Sequence, residues 1–319
     1  MNAADALTPL EDAQRLLLSR CPPLHPRAVP LEDALGCVTS VAISAETSVP
    51  PFANSAMDGF AVRAADVRDA PTQLKIVATI AAGATPDVEL TRGEAARIMT
   101  GAPVPAGADA IVMVELTSTS PDGDTVTVTE AVPPGNHIRD AGEDIAAGDE
   151  VFPAGTLLTP GHIGVLANLG LRKVPVQPRP RVGVLSTGDE LVNGQIADSN
   201  RPTLLALCRE SGFETVDLGT VGDDEAAIRT ALDNGIEACD AVLTSGGVSA
   251  GDYDFVKKLL DTEVRVAIRP AKPLAFGTPD GTPVFGLPGN PVSAMVSFEL
   301  FARPALRQMA GFTGDGGDP

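Results

Sequence analysis

The sequence predicts an α/β protein in which a doubly wound, mostly parallel sheet follows an elongated domain and a small β-rich domain. Three observations lead to this fold class. Between Val49 and Gly135, short β-prone runs alternate with Gly and Pro turns. Pro175, Pro178 and Pro180 then mark a boundary, because proline is disfavoured in helix interiors and central strands. Beyond these prolines, buried apolar runs alternate with helical segments, as in parallel strands joined by right-handed crossovers.

The C-terminal region has the clearest succession of elements. Ile228 and Leu232 share one face of a predicted helix, and an Asp280-Gly281 turn predicts pairing of the strands on either side of it. The predicted strands are Arg181–Leu185, Thr215–Leu218, Ala241–Thr244, Val264–Ile268, Leu274–Phe276 and Val284–Phe285. The predicted helices are Pro202–Glu210, Glu225–Asn234, Phe255–Leu260 and Val292–Gln308.

The N-terminal half is predicted from shorter signals. Thr8-Pro9-Leu10-Glu11 has the form of a capping box with proline at the first helical position, so we expect an amphipathic helix ending near Arg20. Strand signals recur at Phe60–Arg63, Lys75–Ile80, Ala110–Glu115, Thr125–Thr129 and around Val151–Leu158, and a short helix is expected near Gly161–Leu169. The predicted domains are an elongated one (1–50 with 136–177), a β-rich one (51–135), the α/β domain (178–312) and a tail (313–319).

Composition limits the possible functions. The net charge of −19 argues against nucleic acid or an anionic membrane as a partner, because both require a cationic surface. The longest apolar stretches are far shorter than a membrane span, and the N-terminus has neither the basic region nor the apolar core of a secretory signal. The cysteines form no C-x-x-C pair and the histidines show no metal-ligand spacing, so we expect reduced thiols in a cytoplasmic protein.

Small, polar or rigid loops follow the predicted strands, at the sheet edge where doubly wound proteins bind ligands. Glycines after the third strand let backbone amides approach a ligand closely, although an ordinary strand-to-helix turn explains them equally well. A proline-rich loop leads into the last helix, whose N-terminus favours phosphate. No Walker loop and no G-x-G-x-x-G is present, which disfavours a dinucleotide-binding dehydrogenase. The loops are Ser186-Thr187-Gly188-Asp189-Glu190, Ser245-Gly246-Gly247-Val248-Ser249, Arg269-Pro270-Ala271-Lys272-Pro273 and Leu287-Pro288-Gly289-Asn290-Pro291.

Acidic residues are concentrated at the same predicted edge. Each is explained singly by helix capping, which short acids often perform. Together they also suit Mg²⁺, which takes one or two carboxylates plus phosphate oxygens and waters. Arg269 and Lys272 then offer positive charge to an oxyanion, and the neighbouring prolines stiffen their loop, although such pairs are often plain surface charge. The acids are Asp189, Glu190, Asp223, Asp224, Asp252 and Asp254.

At these residues the chain closely resembles a known family, the molybdopterin molybdenumtransferases. The resemblance extends over nearly the whole chain, in family order, and implies an elongated dimer with a molybdopterin-binding α/β domain. The chain ends shortly after the predicted closing helix, so we expect the family's C-terminal β domain to be absent. The matching phrases are Ser55-Ala56-Met57-Asp58-Gly59-Phe60-Ala61, Thr100-Gly101-Ala102-Pro103-Val104-Pro105, Gly142-Glu143-Asp144-Ile145, Ser186-Thr187-Gly188-Asp189-Glu190-Leu191, Asp198-Ser199-Asn200-Arg201, Ser245-Gly246-Gly247-Val248-Ser249 and Gly286-Leu287-Pro288-Gly289-Asn290-Pro291-Val292-Ser293.

The resemblance implies a division of labour among these residues. Glu190, Asp224 and Asp254 are implied to handle Mg²⁺ and phosphate, and Arg269 with Lys272 to hold molybdate. The implied catalytic residues are Asp58, Glu190, Asp224, Asp254 and Lys272, with Asp58, Thr100 and Asp144 reaching the site across a homodimer. The implied substrate-binding residues are Thr100, Asp144, Ser186, Thr187, Gly188, Asp189, Asp198, Asn200, Ser245, Gly246, Gly247, Ser249, Arg269, Pro288, Gly289, Asn290, Pro291 and Ser293.

The implied reaction is insertion of molybdate into adenylated molybdopterin with release of AMP, in molybdenum cofactor biosynthesis. The upstream adenylyltransferase and the recipient molybdoenzymes are the expected protein partners. Two alternatives stay open: a non-catalytic, pterin-binding scaffold of the same fold, and an adenylyltransferase-like enzyme that shares the glycine loop and the Pro288–Pro291 loop. One departure from the family is Arg269-Pro270-Ala271-Lys272, which replaces a pattern with lysine first and glycine third.

Overall fold

The computed structural model describes residues 7–246, 256 and 260–313. Within these residues the chain divides into two compact units. One unit comprises the described residues among 1–42, 153–164 and 171–319, and the other comprises residues 43–152 and 165–170. The three-part division expected from the sequence stays a prediction. None of the helices in the described ranges has the length and apolar character needed to cross a membrane.

Helices and strands are named in chain order. The helices are α1 (Leu10–Ser19), α2 (Pro160–Asn168), α3 (Asp189–Val192), α4 (Asn200–Glu210), α5 (Glu225–Ala238), α6 (Pro291–Ser297) and α7 (Arg303–Met309), with a π-helical turn at Phe298–Ala302. The strands are β1 (Arg27–Pro30), β2 (Val38–Thr39), β3 (Ile43–Ser44), β4 (Asn54–Ser55), β5 (Gly59–Val62), β6 (Thr72–Ile80), β7 (Glu94–Ile98), β8 (Ala110–Met113), β9 (Thr117–Thr119), β10 (Thr125–Val128), β11 (Ile138–Arg139), β12 (Glu150–Phe152), β13 (Lys173–Gln177), β14 (Arg181–Thr187), β15 (Glu214–Val221), β16 (Ala241–Ser245), β17 (Thr262–Arg265), β18 (Pro273–Gly277) and β19 (Val284–Leu287).

The first unit contains the predicted doubly wound sheet. Its strand order is β15-β14-β16-β19-β18-β17, and β14, β15, β16 and β19 are parallel. Only β18 runs against its neighbours, pairing with β19 across the predicted Asp280-Gly281 turn. One face packs against α1, α4 and the C-terminal helices, through Leu17, Leu204 and Phe298, while the other packs against α5 through Ile228 and Leu232. The predicted fold class is thereby confirmed.

The predicted capping box at Thr8–Glu11 is wrong. Helix α1 begins at Leu10, its N-cap is Pro9, and no side chain caps it. The backbone of Thr8 is instead extended beside β17: its N–H donates to Arg265 O over 2.8 Å, and its carbonyl accepts from Ala267 N over 2.8 Å. Thr8 therefore serves the sheet, one residue too early to cap the helix.

The predicted exclusion of the prolines from a central strand is also wrong. Pro175 lies in β13, the middle strand of a three-stranded sheet with order β1-β13-β2. Strand β2 pairs only with Val176 and Gln177, and the Pro175 carbonyl still accepts from Ser40 N. Because β2 does not pair with Pro175 itself, the missing N–H of this proline breaks no hydrogen bond between β13 and β2. The predicted helix Phe255–Leu260 lies outside the described residues, apart from Val256 and Leu260.

The second unit is β-rich, as predicted for this part of the chain. Its main sheet has the order β8-β5-β7-β6-β10-β9 and is antiparallel except for the pair β6 and β7. Neighbouring residues alternate between two apolar clusters, with Phe60 and Val112 in one and Ala61 and Ile111 in the other. This alternation follows from the two-residue period of a strand and shows that both faces of the sheet are covered.

Candidate functional site at the carboxyl edge of the sheet

Topology brings the predicted ligand-binding loops to one edge of the doubly wound sheet. The loops after β14, β16 and β19 leave the carboxyl ends of parallel strands. Because β18 is antiparallel to β19, the turn before β18, with Arg269 and Lys272, lies at this edge as well. Gly247, Ser249 and Asp254 lie outside the described residues. The common edge is where α/β proteins of this type bind ligands.

Gly246 occupies a position that only glycine fits. Its φ is +98°, and a Cβ there would lie 2.5 Å from Thr187 O on the neighbouring strand. The Gly246 N–H donates to Leu287 O over 3.1 Å. Glycine is therefore required here for the close packing of β14, β16 and β19, and the close approach of this loop to a ligand stays a prediction.

The Asn200 side chain joins two of the loops. Its Nδ2 donates to Ser245 Oγ and to Gly289 O, each over 2.7 Å. The Gly289 carbonyl can only accept, so the atom facing it must be the amide nitrogen and not the oxygen. Asn200, at the start of α4, thus fixes the separation of the loops after β16 and β19.

Asp198 is held by hydrogen bonds from three residues. Its Oδ1 accepts from Ser186 Oγ and Arg201 N, and its Oδ2 accepts from Arg201 Nε and Thr220 Oγ1, each over 3.1 Å. Burial of this carboxylate opposes ionisation, but the bonds from Arg201, Ser186 and Thr220 outweigh it and lower the pKa of Asp198. The group is therefore ionised at neutral pH.

Arg201 also pairs with Asp217 on β15, and the hydrogen bond that its guanidinium donates to the Asp217 carboxylate raises the pKa of Arg201. Sequence reasoning did not select Arg201, Asp217 or Thr220 as site residues. Arg201 was visible in the phrase Asp198-Ser199-Asn200-Arg201, but the two β15 residues belong to no phrase. Their only sequence signal is Gly219 between them, near the end of a predicted strand.

Four acids lie in the loops after β14 and β15 at this edge, and three of them accept hydrogen bonds from backbone N–H groups. Asp189 and Asp223 bond reciprocally: Asp189 Oδ1 accepts from Asp223 N over 3.0 Å, and Asp223 Oδ2 accepts from Asp189 N over 3.3 Å. The Glu190 carboxylate folds back over Gly188, where a Cβ would lie 2.8 Å from each of its oxygens. Asp224 caps α5 by accepting from Ala227 N over 2.8 Å. In the described part of the chain, no three side chains of metal-binding type come together.

Two further features complete the edge. Asn290 caps α6, its Oδ1 accepting from Ser293 N over 3.2 Å and from Ser293 Oγ over 3.3 Å, with Pro291 as the first helical residue. Thr187 is buried, and its Oγ1 has no hydrogen-bond partner among the described residues. A buried hydroxyl without a partner is costly, so this atom is a candidate donor to a ligand.

The loop with the two basic residues is rigid and exposes both of them. Its ends are joined by the bond from Val266 N to Lys272 O, 2.8 Å long. Ala271 is buried at the left-handed φ of +69°, while Arg269 and Lys272 are exposed. Neither basic side chain pairs with an acid in the ranges that the structure covers. Both are thus open to an anion at the carboxyl edge.

Asp58, Thr100 and Asp144 belong to the second unit. Asp58 Oδ1 accepts from Thr100 N over 2.7 Å and from Thr100 Oγ1 over 2.8 Å. These two bonds lower the pKa of Asp58, which is exposed. Asp144 forms an ion pair with Arg139. The roles implied for these residues across a dimer stay predictions.

Two family models and several curated proteins match this chain. Residues 8–170 match the family model described as "MoeA N-terminal region (domain I and II)", and residues 183–308 match a "probable molybdopterin binding domain". "Molybdopterin molybdenumtransferase 2" of Mycobacterium tuberculosis is 43% identical over 95% of this chain and 80% of its own length. The molybdopterin molybdenumtransferase of Haemophilus influenzae is 39% identical over 95% of this chain and 78% of its own length.

Solved structures of molybdopterin biosynthesis proteins also align with this chain. A molybdopterin biosynthesis moeA protein from Pyrococcus horikoshii aligns with a TM-score of 0.78 at 32% identity, covering 97% of this chain and 81% of its own. A second structure of the moeA protein from that organism aligns with a TM-score of 0.74 at 33% identity, covering 97% of this chain and 80% of its own. The similarity therefore extends over both units of the chain.

Proposed function

The chain belongs to the molybdopterin molybdenumtransferase family, and from that membership we propose that it inserts molybdate into adenylated molybdopterin with release of AMP. The observation that supports this most directly is the carboxyl edge of the sheet, where Asn200 joins two loops beside a group of acids. Parallel sheets bind phosphate-bearing ligands in such a crevice.

The residues of this chain act mainly by binding and orienting. The positive end of the α6 dipole and the Thr187 hydroxyl are proposed to face the phosphates and the pterin. Asn200 keeps the two loops at a fixed separation. In the proposed reaction water cleaves the phosphoanhydride bond between the pterin phosphate and AMP. AMP leaves. The two sulfurs of the dithiolene, in its dithiol form, bond to molybdenum and give up their two protons to one oxygen of molybdate, which departs as water.

Mg²⁺ fits the donors present. Glu190, Asp189, Asp223 and Asp224 offer only carboxylate oxygens, the ligand type that Mg²⁺ prefers, and the Glu190 carboxylate is folded over Gly188. When bound, Mg²⁺ neutralises charge on the bridging phosphates and improves the leaving group. Glu190 and Asp224, with Asp254, are the proposed ligands.

Arg269 and Lys272 are proposed to hold molybdate. Both are exposed at the carboxyl edge, on a loop closed by a backbone hydrogen bond. The chain has only 23 basic residues and a net charge of −19, so two exposed basic side chains in one short loop stand out against its acidic surface. Their positive charge favours a divalent oxyanion.

We further propose a cytoplasmic homodimer in which Asp58, Thr100 and Asp144 of one copy serve the site of the other. The proposal is supported by the phrases that these residues share with the family. An upstream adenylyltransferase supplies the adenylated substrate, and molybdoenzymes receive the product.

An assay of AMP release tests the proposed reaction. The chain is incubated with adenylated molybdopterin, with and without molybdate and Mg²⁺, and AMP is quantified by chromatography. We expect AMP release that requires Mg²⁺ and rises with molybdate concentration to saturation. Tight binding of the substrate without molybdate-dependent AMP release would overturn the proposal.

A further inference from the structure

Asp198 has its hydrogen-bonding capacity filled within the protein. A carboxylate offers about four lone-pair positions. Ser186, Arg201 and Thr220 together donate four hydrogen bonds to Asp198, two to each oxygen. Ser186 itself is fully buried. Asp198 and Ser186 are therefore poorly placed to contact a ligand, although they lie beside the residues that are proposed to bind it.

A β-bulge in β15 brings one of the donors into place. The register passes from Val184 opposite Asp217 to Leu185 opposite Gly219, which leaves Leu218 as the extra residue. Gly219 has the left-handed φ of +84°, and its N–H donates to Asp217 Oδ1 over 2.9 Å. In a regular strand, residues three apart face opposite sides. The bulge lets Asp217 and Thr220 reach the same network around Asp198 and Arg201.

The network spans the elements that frame the site. Arg201 and Asn200 are neighbours at the start of α4, and Arg201 is fixed on one side by Asp198 and on the other by Asp217. Through Ser186 and Thr220, Asp198 also holds the carboxyl ends of β14 and β15. Movement of the start of α4 would carry Asn200 away from Ser245 and Gly289.

We propose that Arg201, Asp217 and Thr220 are positioning residues of the substrate site. Acting through Asp198, they hold the start of α4 so that Asn200 keeps the loops after β16 and β19 at the separation that the adenylated pterin needs. This inference rests on the proposed function, since it takes the carboxyl edge to bind adenylated molybdopterin.

A pair of substitutions at Thr220 tests the inference. Thr220→Val removes the hydroxyl with little change in volume, whereas Thr220→Ser keeps the hydroxyl and removes the methyl group. Loss of one hydrogen bond to a charged group is expected to raise the dissociation constant of adenylated molybdopterin about tenfold, while the serine variant stays within about twofold of the unaltered chain. A purely packing role would reverse this order. Binding is measured by isothermal titration calorimetry.

Thr215→Val is the matched control. Thr215 lies on the same strand, at the amino end, and its hydroxyl also bonds to a charged side chain, but as the acceptor, from Arg209 Nε over 3.0 Å. We expect it to leave the dissociation constant unchanged. Asp217→Asn is the second test variant: its half-exposed side chain tolerates substitution, and it weakens the pair with Arg201. It is expected to weaken binding as well.

The possible results distinguish failure of the proposed function from failure of the positioning role alone. If the unaltered chain does not bind adenylated molybdopterin, the proposed function fails and this inference with it. If the unaltered chain binds and Thr220→Val binds equally well, or Thr220→Ser is weakened as much as Thr220→Val, the inference alone is overturned. Should Thr220→Val not fold, Asp217→Asn decides, and an unchanged dissociation constant for that variant refutes the positioning role.

Discussion

Single residues at the carboxyl edge are fixed by backbone geometry as much as by chemistry. Gly246 is glycine because a Cβ would meet Thr187 O. Ala271 stands where the family is expected to have glycine, and it adopts a left-handed φ of +69°. Residues with a Cβ are strained in this region. Alanine in place of the expected glycine at position 271 therefore strains the backbone of the loop that carries Arg269 and Lys272.

Ala271→Gly is predicted to stabilise the protein. Glycine relieves the left-handed strain, a gain of about 1 kcal/mol that is partly offset by the greater freedom of glycine in the unfolded chain. The free energy of unfolding, measured by urea denaturation, is expected to rise by up to about 1 kcal/mol. The same change at Ala267, an exposed alanine near the loop, serves as control. A decrease on Ala271→Gly would contradict the assignment of strain.

At the scale of elements, alternating apolar runs and helices predict the doubly wound sheet, and the loops after its strands predict where the site lies. Predicting the sheet and the location of the site requires only the order of these elements along the chain. The network of Asp198, Arg201 and Asp217 could not be predicted, because it depends on a register shift in β15 and on a side chain from α4. The Thr8 capping box fails for a similar reason, since Thr8 pairs with β17, which is distant in sequence. Local patterns do not contain such contacts.

The network around Asp198 makes stability depend on pH. The pKa of Asp198 is lowered in the folded state, so the unfolded chain binds this proton at higher pH than the folded chain does. The stabilisation is fully present above the unfolded pKa of about 3.9 and is lost as pH falls through the lower folded value. Asp198→Asn removes this titration. Urea unfolding between pH 6 and pH 3 should show a steeper loss of stability for the unaltered chain than for the variant; equal slopes would contradict the lowered pKa.

At the scale of the whole molecule, an acidic chain must bind a heavily anionic substrate. In the proposed function, carboxylates at one sheet edge bind Mg²⁺ and two exposed bases at the same edge bind molybdate, while other acidic side chains lie elsewhere on the surface. The family phrases in the sequence predicted the residues, and the topology shows why distant phrases such as those at Ser186 and Pro288 meet at one edge. The residues proposed to act across a dimer depend on a second copy of the chain.

The most direct test of the proposed site compares two glutamates at opposite edges of the same sheet. Glu190 lies at the carboxyl edge. Glu214 begins β15 at the opposite edge, where its Oε1 lies 3.8 Å from Arg179 Nη2. Molybdate-dependent AMP release is measured for Glu190→Gln and Glu214→Gln. We predict that Glu190→Gln lowers the rate by about a hundredfold or more, as expected for loss of a metal-ligating carboxylate, while Glu214→Gln retains it. Equal rates for the two variants would contradict the placement of the reaction at the carboxyl edge.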